Sequence, residues 1–168
     1  MSTNNEKSVY YLEELSNYKV ADSDKDVRGW DVKDKDGRVI GTVDNLIVNK
    51  NTERVVYLDV EVDSSIIEAN YKPYSAKAKD GVHDFINEKG ENHLIIPIGM
   101  AHLNLESELV FTKEVNHKTF AETKRLKKGT DIYRDYEILI LDSYNRNDDV
   151  ASYPQDEMFY ERSEFKVE

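Results

Sequence analysis

The chain has 168 residues, no cysteine and a formal net charge of −11 at pH 7. This length predicts one domain with an appendage, and the lack of cysteine excludes disulfides, thiolate nucleophiles and thiolate metal sites, so a cytoplasmic protein is expected. The negative charge argues against a nucleic-acid partner, because neutralising phosphates requires clustered Lys and Arg. The longest apolar runs, residues 94–100 and 138–141, are far shorter than the roughly 18 residues of a membrane-spanning helix, so no membrane insertion is expected.

The N-terminal region is polar and has no apolar core of an export signal. We therefore predict that residues 1–9 are disordered. Apolar side chains then follow at a helical spacing within residues 10–18, which predicts a short helical turn packed against the β-strands that follow.

Three alternating aspartates, Asp22, Asp24 and Asp26, resemble the start of a calcium-binding loop. An EF-hand loop requires Gly at its sixth position and Glu at its twelfth, where this chain has Val27 and Lys33. A solvated loop is the preferred interpretation.

Residues 30–63 contain three predicted strands separated by two turns. The first turn ends on Gly37, which can adopt a positive φ, and the second spans residues 49–53. Gly41, inside the middle strand, indicates a bulge or a sharp bend. The third strand alternates with a period of two, which is typical of a half-buried strand. Its two faces carry Val56, Leu58, Val60 and Val62 on the one side, and Val55, Tyr57, Asp59 and Glu61 on the other.

The region from residue 64 to residue 115 is predicted to complete a small antiparallel β barrel. Residues 64–92 form a long excursion, residues 93–98 a strand that ends near Pro97, and residues 109–115 the closing strand. The result is a mainly β domain spanning residues 10–115, with five or six strands. Its predicted core contains Ile40, Leu46, Val48, Val56, Leu58, Val60, Val62, Leu94, Ile96 and Ile98.

Residues 116–168 are predicted to form a helical and irregular extension. A first helix through residues 120–126 has Asn116 or Thr119 as its cap and Gly129 as its stop signal. A second helix runs through residues 136–140, although residues 137–142 also fit a strand. The remainder is an acidic tail that contains several aromatic residues.

Several of these segments together resemble the PRC-barrel domain, which is named after the cytoplasmic part of the photosynthetic reaction-centre H subunit. The resemblance rests on VRGWDV, the Asp-Gly turn, VIGTVDNLIV and RVVYLDVEV within residues 27–62, and on HLIIPIG at residues 93–99. Residues 133–137, YRDYE, are similar to the segment that follows the barrel in free-standing bacterial members. These are turn and core motifs, and none of them is catalytic.

The resemblance implies a stand-alone protein that presents a small barrel to another macromolecule. The expected function is therefore non-enzymatic binding or scaffolding through protein–protein contacts, with an unknown protein partner. The family's better-known branches imply two alternatives: a role linked to quinone or electron transport, like that of the reaction-centre H subunit, or an adaptor role in ribosome maturation. The membrane helix of the first branch and the additional N-terminal β domain of the second have no counterpart in this sequence.

No residue set in the sequence predicts a catalytic, cofactor or metal site. No two of the histidines at positions 83, 93, 102 and 117 have the spacing of a helical ligand pair, and no cysteine completes a zinc set. Neither G-x-S-x-G, G-x-G-x-x-G nor a P-loop occurs. We therefore expect that the protein is not an enzyme and binds no cofactor.

A basic run, residues 124–128, is the local exception to the acidic composition. A surface for nucleic acid is one interpretation. We favour cations in the last turn of the first predicted helix, where they meet the negative end of its dipole, or pairing with the acidic tail.

The extension is also predicted to contribute to a C2 homodimer. Apolar residues beyond a self-sufficient barrel suggest a second buried surface, and homodimers are the commonest soluble oligomers. The alternative is an extension that packs on its own barrel. The residues concerned are Phe120, Tyr133, Tyr136, Ile138, Leu139, Ile140, Leu141, Phe159, Tyr160 and Phe165.

Overall fold

The computed structural model describes residues 7–15, 26–68, 87–145 and 157–166. The predicted loop at Asp22 and Asp24 lies outside the described residues. So do Tyr18, His83 and most of the excursion predicted for residues 64–92.

Seven β-strands are described. They are β1 (Val9–Tyr11), β2 (Asp31–Lys33), β3 (Val39–Asn49), β4 (Arg54–Val62), β5 (His93–Pro97), β6 (His102–Asn104) and β7 (Leu109–Phe111). The strands expected near residues 30, 38, 54, 93 and 109 are all present, and the last of them is shorter than predicted. β1 was not predicted, and its first residue, Val9, pairs with Asn49 on β3.

Three α-helices and four 3-10 turns are described beside the sheet. They are α1 (Ser64–Glu68), α2 (His117–Glu122) and α3 (Arg134–Tyr144), with 3-10 turns at Leu12–Glu14, Ile98–Met100, Glu157–Glu161 and Ser163–Phe165. Asn116 is the cap of α2, since its side chain accepts a hydrogen bond from the Thr119 N–H at 2.9 Å. Residues 137–142 are helical, which decides between the two alternatives for this segment.

The strands form one curved sheet with the order β5-β4-β3-β2-β7-β6, and β1 pairs with β3. In a flat sheet, six strands spaced by about 4.8 Å would place β5 and β6 about 24 Å apart. Only residues 98–101 connect these two strands, and the chain from 97 to 102 spans at most about 17 Å. The sheet must therefore curl.

The strand pairing departs from the predicted barrel in two respects. β2 and β7 run parallel, so the expectation of a wholly antiparallel sheet is wrong there. No hydrogen-bonded ladder joins β5 to β6 among the described strands, so these strands do not form a closed barrel. Closure of the barrel stays a prediction.

Gly41 lies where β3 is crowded by its neighbours. A Cβ atom built on Gly41 would lie 2.3 Å from the carbonyl oxygen of Glu61 on β4. The pairing of β2 with β3 also shifts register next to Gly41, between Val32 and Lys33. The predicted irregularity is confirmed, and its physical reason is the close approach of two strands.

β4 is buried on both faces over most of its length, which the prediction of a half-buried strand did not anticipate. Tyr57 and Asp59, on the face expected to be solvated, are 0% and 2% exposed. The extension covers this face: the ring of Phe165 packs edge-on against Tyr57 at 5.2 Å, and the Tyr144 hydroxyl donates to the Ile95 carbonyl at 2.9 Å. Of the predicted core residues, all are buried except Ile98, which is half-buried.

A buried polar network fastens the extension to the sheet. The carboxylate of Glu137 on α3 accepts hydrogen bonds from the Tyr57 hydroxyl at 2.9 Å and from the Tyr160 hydroxyl at 2.6 Å. Arg134 Nε donates to the same carboxylate at 3.2 Å, and its guanidinium stacks over the Phe159 ring at 4.2 Å. Burial raises the pKa of Glu137, although Arg134 and the two hydroxyls oppose this shift. One carboxylate thus joins β4, α3 and the C-terminal segment.

The extension packs on its own chain, which is the alternative to the predicted second surface. Except for Tyr133, which is 39% exposed, all of the apolar residues that suggested a homodimer are buried in the same core cluster as the sheet. The expectation that the barrel has a separate core is therefore wrong. The homodimer stays a prediction, without the support of unexplained apolar residues.

Candidate functional site

Apart from the hydrophobic core, two features are candidates for function: a polar cluster within the sheet and an exposed hairpin. The polar cluster consists of Asp44, Asp59 and His93, which lie on the adjacent strands β3, β4 and β5. Asp59 is paired with Asn45, and the register of β3 against β4 shifts between Val43 and Asn45. This bulge inserts Asp44 as an extra residue, and its side chain reaches the two others.

One hydrogen bond and one ion pair orient the side chains of the cluster. His93 Nδ1 donates to Asp59 Oδ1 at 2.8 Å, and both side chains are more than nine-tenths buried. The other ring nitrogen, Nε2, lies 4.0 Å from Asp44 Oδ2, which is beyond hydrogen-bonding distance. Lys128 Nζ lies 3.3 Å from the same oxygen of Asp44.

The backbone of His93 is held in place by a short bridge to residues beyond the sheet. Its N–H donates to the Leu126 carbonyl at 2.9 Å, and the Leu126 N–H donates back to the His93 carbonyl at 2.8 Å. This bridge brings the segment that contains Lys128 alongside the cluster.

Burial and neighbouring charge shift the pKa values of Asp59 and His93 in opposite directions. Burial lowers the pKa of His93, but the hydrogen bond and the negative charge of Asp59 outweigh it, so that the pKa lies above its ordinary value. Burial raises the pKa of Asp59, and the hydrogen bond with His93 offsets this only in part. His93 and Asp59 therefore each stabilise the charged form of the other against the effect of burial.

The local sequence patterns did not predict this cluster, because no two of its residues have a helical spacing. Asp44, Asp59 and His93 are far apart along the chain and meet through strand pairing. A usable signal was present: Asp59 interrupts a strand that is otherwise rich in apolar and aromatic residues. A carboxylate at such a position needs a partner once both faces are covered.

The other predicted polar residues do not converge on a second site within the described part of the chain. His102 lies beside the ring of Phe111, at 5.8 Å between centroids, and His117 Nε2 lies 3.2 Å from Ser65 Oγ. Asp26 pairs with its neighbour Arg28. The turn that ends on Gly37 is confirmed, with φ +82°.

The basic run has a different role from the one that was predicted. α2 ends at Glu122, so that these cations do not lie in the last turn of a helix. Instead, Lys124 Nζ lies 2.6 Å from Glu91 Oε1, and Arg125 Nε donates to the Glu91 carbonyl at 2.8 Å. Together with Lys128, they tie the loop after α2 to the start of β5 and to the polar cluster.

The second candidate is the β6–β7 hairpin, which exposes large apolar side chains. Leu103 on β6 is 39% exposed and Leu105 in the turn is 62% exposed, the largest value among the exposed large hydrophobic residues of the described chain. Glu106 and Glu108 are exposed in the same turn. We call Leu103, Leu105, Glu106 and Glu108 the hairpin surface.

The curved sheet, with its long β3–β4 hairpin and with α3 packed on β4 and β5, places the molecule among small, mainly β domains. The model of the PRC-barrel domain family matches residues 19–114, more than half of the chain, and the chain belongs to this family. The resemblance seen in the strand and turn motifs is thereby confirmed. No curated protein matches the chain. Among the described residues, no helix has the length and apolar character needed to cross a membrane.

Proposed function

We propose that the protein is a non-enzymatic, cytoplasmic binding or scaffold protein that contacts another protein through its hairpin surface. The observation that carries this proposal is the exposure of Leu103 and Leu105 on one short hairpin. Single exposed apolar residues are common on proteins, but two on the same short hairpin provide an anchor for a partner.

The charge around the two leucines indicates the chemistry of the partner. Glu106 and Glu108 follow Leu105 in the turn, and the whole chain carries a net charge of −11. A partner segment with apolar side chains bordered by Lys or Arg would complement this surface, and the opposite charges would accelerate association. We therefore propose a basic, apolar segment of another protein as the ligand.

The hairpin surface can be tested by photo-crosslinking in the cells of the host. A photoreactive amino acid at position 105 is expected to capture a defined protein, whereas the same amino acid at position 51, in the exposed β3–β4 turn, is not. Equal capture from the two positions would contradict the proposal.

Replacement of Leu105 by Asp should weaken binding of the captured partner by at least about tenfold, since a central apolar anchor contributes more than 1 kcal/mol. The affinity of the purified partner is measured by calorimetry, with Asn51→Asp as the matched exposed control. Circular dichroism should show that both variants are folded, because neither position is buried. An unchanged affinity for the Leu105 variant would place the interface elsewhere.

A further inference from the structure

We propose that His93 Nε2 and Asp44 bind a divalent transition-metal ion, with Zn²⁺ as the first candidate, and that Asp59 orients the imidazole ring. One potential ligand atom from each of the three side chains lies within 4.8 Å of the others. An imidazole nitrogen and a carboxylate oxygen are ligands that zinc accepts in proteins, and water would complete the coordination because Asp44 is only half-buried. This proposal is independent of the hairpin surface.

The strongest support is the orientation of the imidazole ring. Asp59 accepts a hydrogen bond from the Nδ1–H of His93, so that in the neutral ring the lone pair is on Nε2, which lies 4.0 Å from Asp44 Oδ2. The His93 side chain is only 4% exposed, and Nε2 makes no hydrogen bond to any described residue. Metal-bound histidines characteristically donate a hydrogen bond from the N–H of the second ring nitrogen to a carboxylate. This bond fixes the tautomer and raises the basicity of the ligand.

The separation between Nε2 and Asp44 Oδ2 also fits an ion between them. At 4.0 Å the two atoms are too far apart for a hydrogen bond. Two atoms bound to one zinc ion at about 2.1 Å each lie about 3.4 Å apart at a tetrahedral angle. Asp44 sits at a bulge and is only half-buried, so its side chain can close the difference of about 0.6 Å by rotating.

The charges around the cluster favour a cation as well. Asp44 and Asp59 contribute two carboxylates, and Glu61 on β4 adds a negative charge that acts on His93. The neighbouring cation, Lys128, has 66% of its side chain exposed, so that it can leave Asp44 at little cost. A metal ion would replace this ammonium group and would link Asp44 on β3 to His93 on β5.

The test is a calorimetric titration of ZnCl₂ into the full-length protein after dialysis against a chelator. We expect one ion per chain and a higher midpoint of thermal unfolding in the presence of Zn²⁺, because a ligand that binds only the folded state stabilises it. Asp44→Asn should weaken binding by more than about tenfold, comparable with the loss of a supporting residue at known metal sites. His102→Gln is the matched control, because it removes a histidine outside the cluster and should leave the affinity unchanged.

Lys128→Gln provides the sharpest distinction from adventitious binding. If the ion binds at Asp44, removal of the competing ammonium group should strengthen Zn²⁺ binding several-fold, and the exposed position leaves the fold intact. His93→Gln should abolish the effect of Zn²⁺ on thermal unfolding. If Asp44→Asn and Lys128→Gln both bind Zn²⁺ as the unaltered protein does, or if that protein binds none, the proposal is wrong.

Discussion

Replacement of Glu137 by Ala is expected to lower the free energy of unfolding by about 3–5 kcal/mol. The reason is the buried guanidinium of Arg134, which would lose the carboxylate that it pairs with at 3.2 Å. The hydroxyls of Tyr57 and Tyr160 would lose their acceptor at the same time. Urea denaturation, followed by the fluorescence of the buried Trp30, measures the change.

Two further variants identify the cause of the expected loss. Glu68→Ala at the exposed end of α1 should alter stability by no more than about 0.5 kcal/mol. Replacing Arg134 and Glu137 together by Met and Leu should restore part of the lost stability, since apolar residues often substitute well for a buried ion pair. A loss below about 1 kcal/mol for Glu137→Ala would show that the network does not hold the extension.

The second large effect is expected at the centre of the sheet. Val60→Asp should prevent native folding, because Val60 is 0% exposed and a buried, unpaired carboxylate costs several kcal/mol. The matched control is Val39→Asp, which makes the same substitution at a valine that is 39% exposed. Circular dichroism and thermal unfolding distinguish the two variants.

The Val39 variant should unfold within a few degrees of the unaltered protein, as is usual for surface substitutions. Cooperative unfolding of the Val60 variant at a similar temperature would contradict the buried position of β4. Failure of both variants would indicate that the Val39 position is also needed for packing.

Local patterns predicted much of the sheet. The alternation in β4 and the turns before β3 and β4 depend on neighbouring residues, so the sequence alone predicts these elements. Burial of the second face of β4 was not predictable in this way. Tyr57 is covered by α3 and the C-terminal segment, which lie 80 or more residues further along the chain.

Tertiary contacts also explain the errors after residue 116. The pattern through residues 120–126 predicts one helix, but Leu126 forms a bridge with His93 and α2 stops at Glu122. The polar cluster depends on the same kind of contact. A bulge at Asp44 shifts the alternation by one residue, and periodicity alone does not show where such a shift occurs.

The proposed binding function is tested most directly by mapping the contact in solution. The partner captured through position 105 is titrated into the isotope-labelled protein, and the backbone amide chemical shifts are followed by NMR. We expect the largest changes within residues 102–109, and little change in the β3–β4 turn at residues 50–53. Changes concentrated in any other part of the chain, with residues 102–109 unaffected, would contradict the hairpin surface as the site of binding.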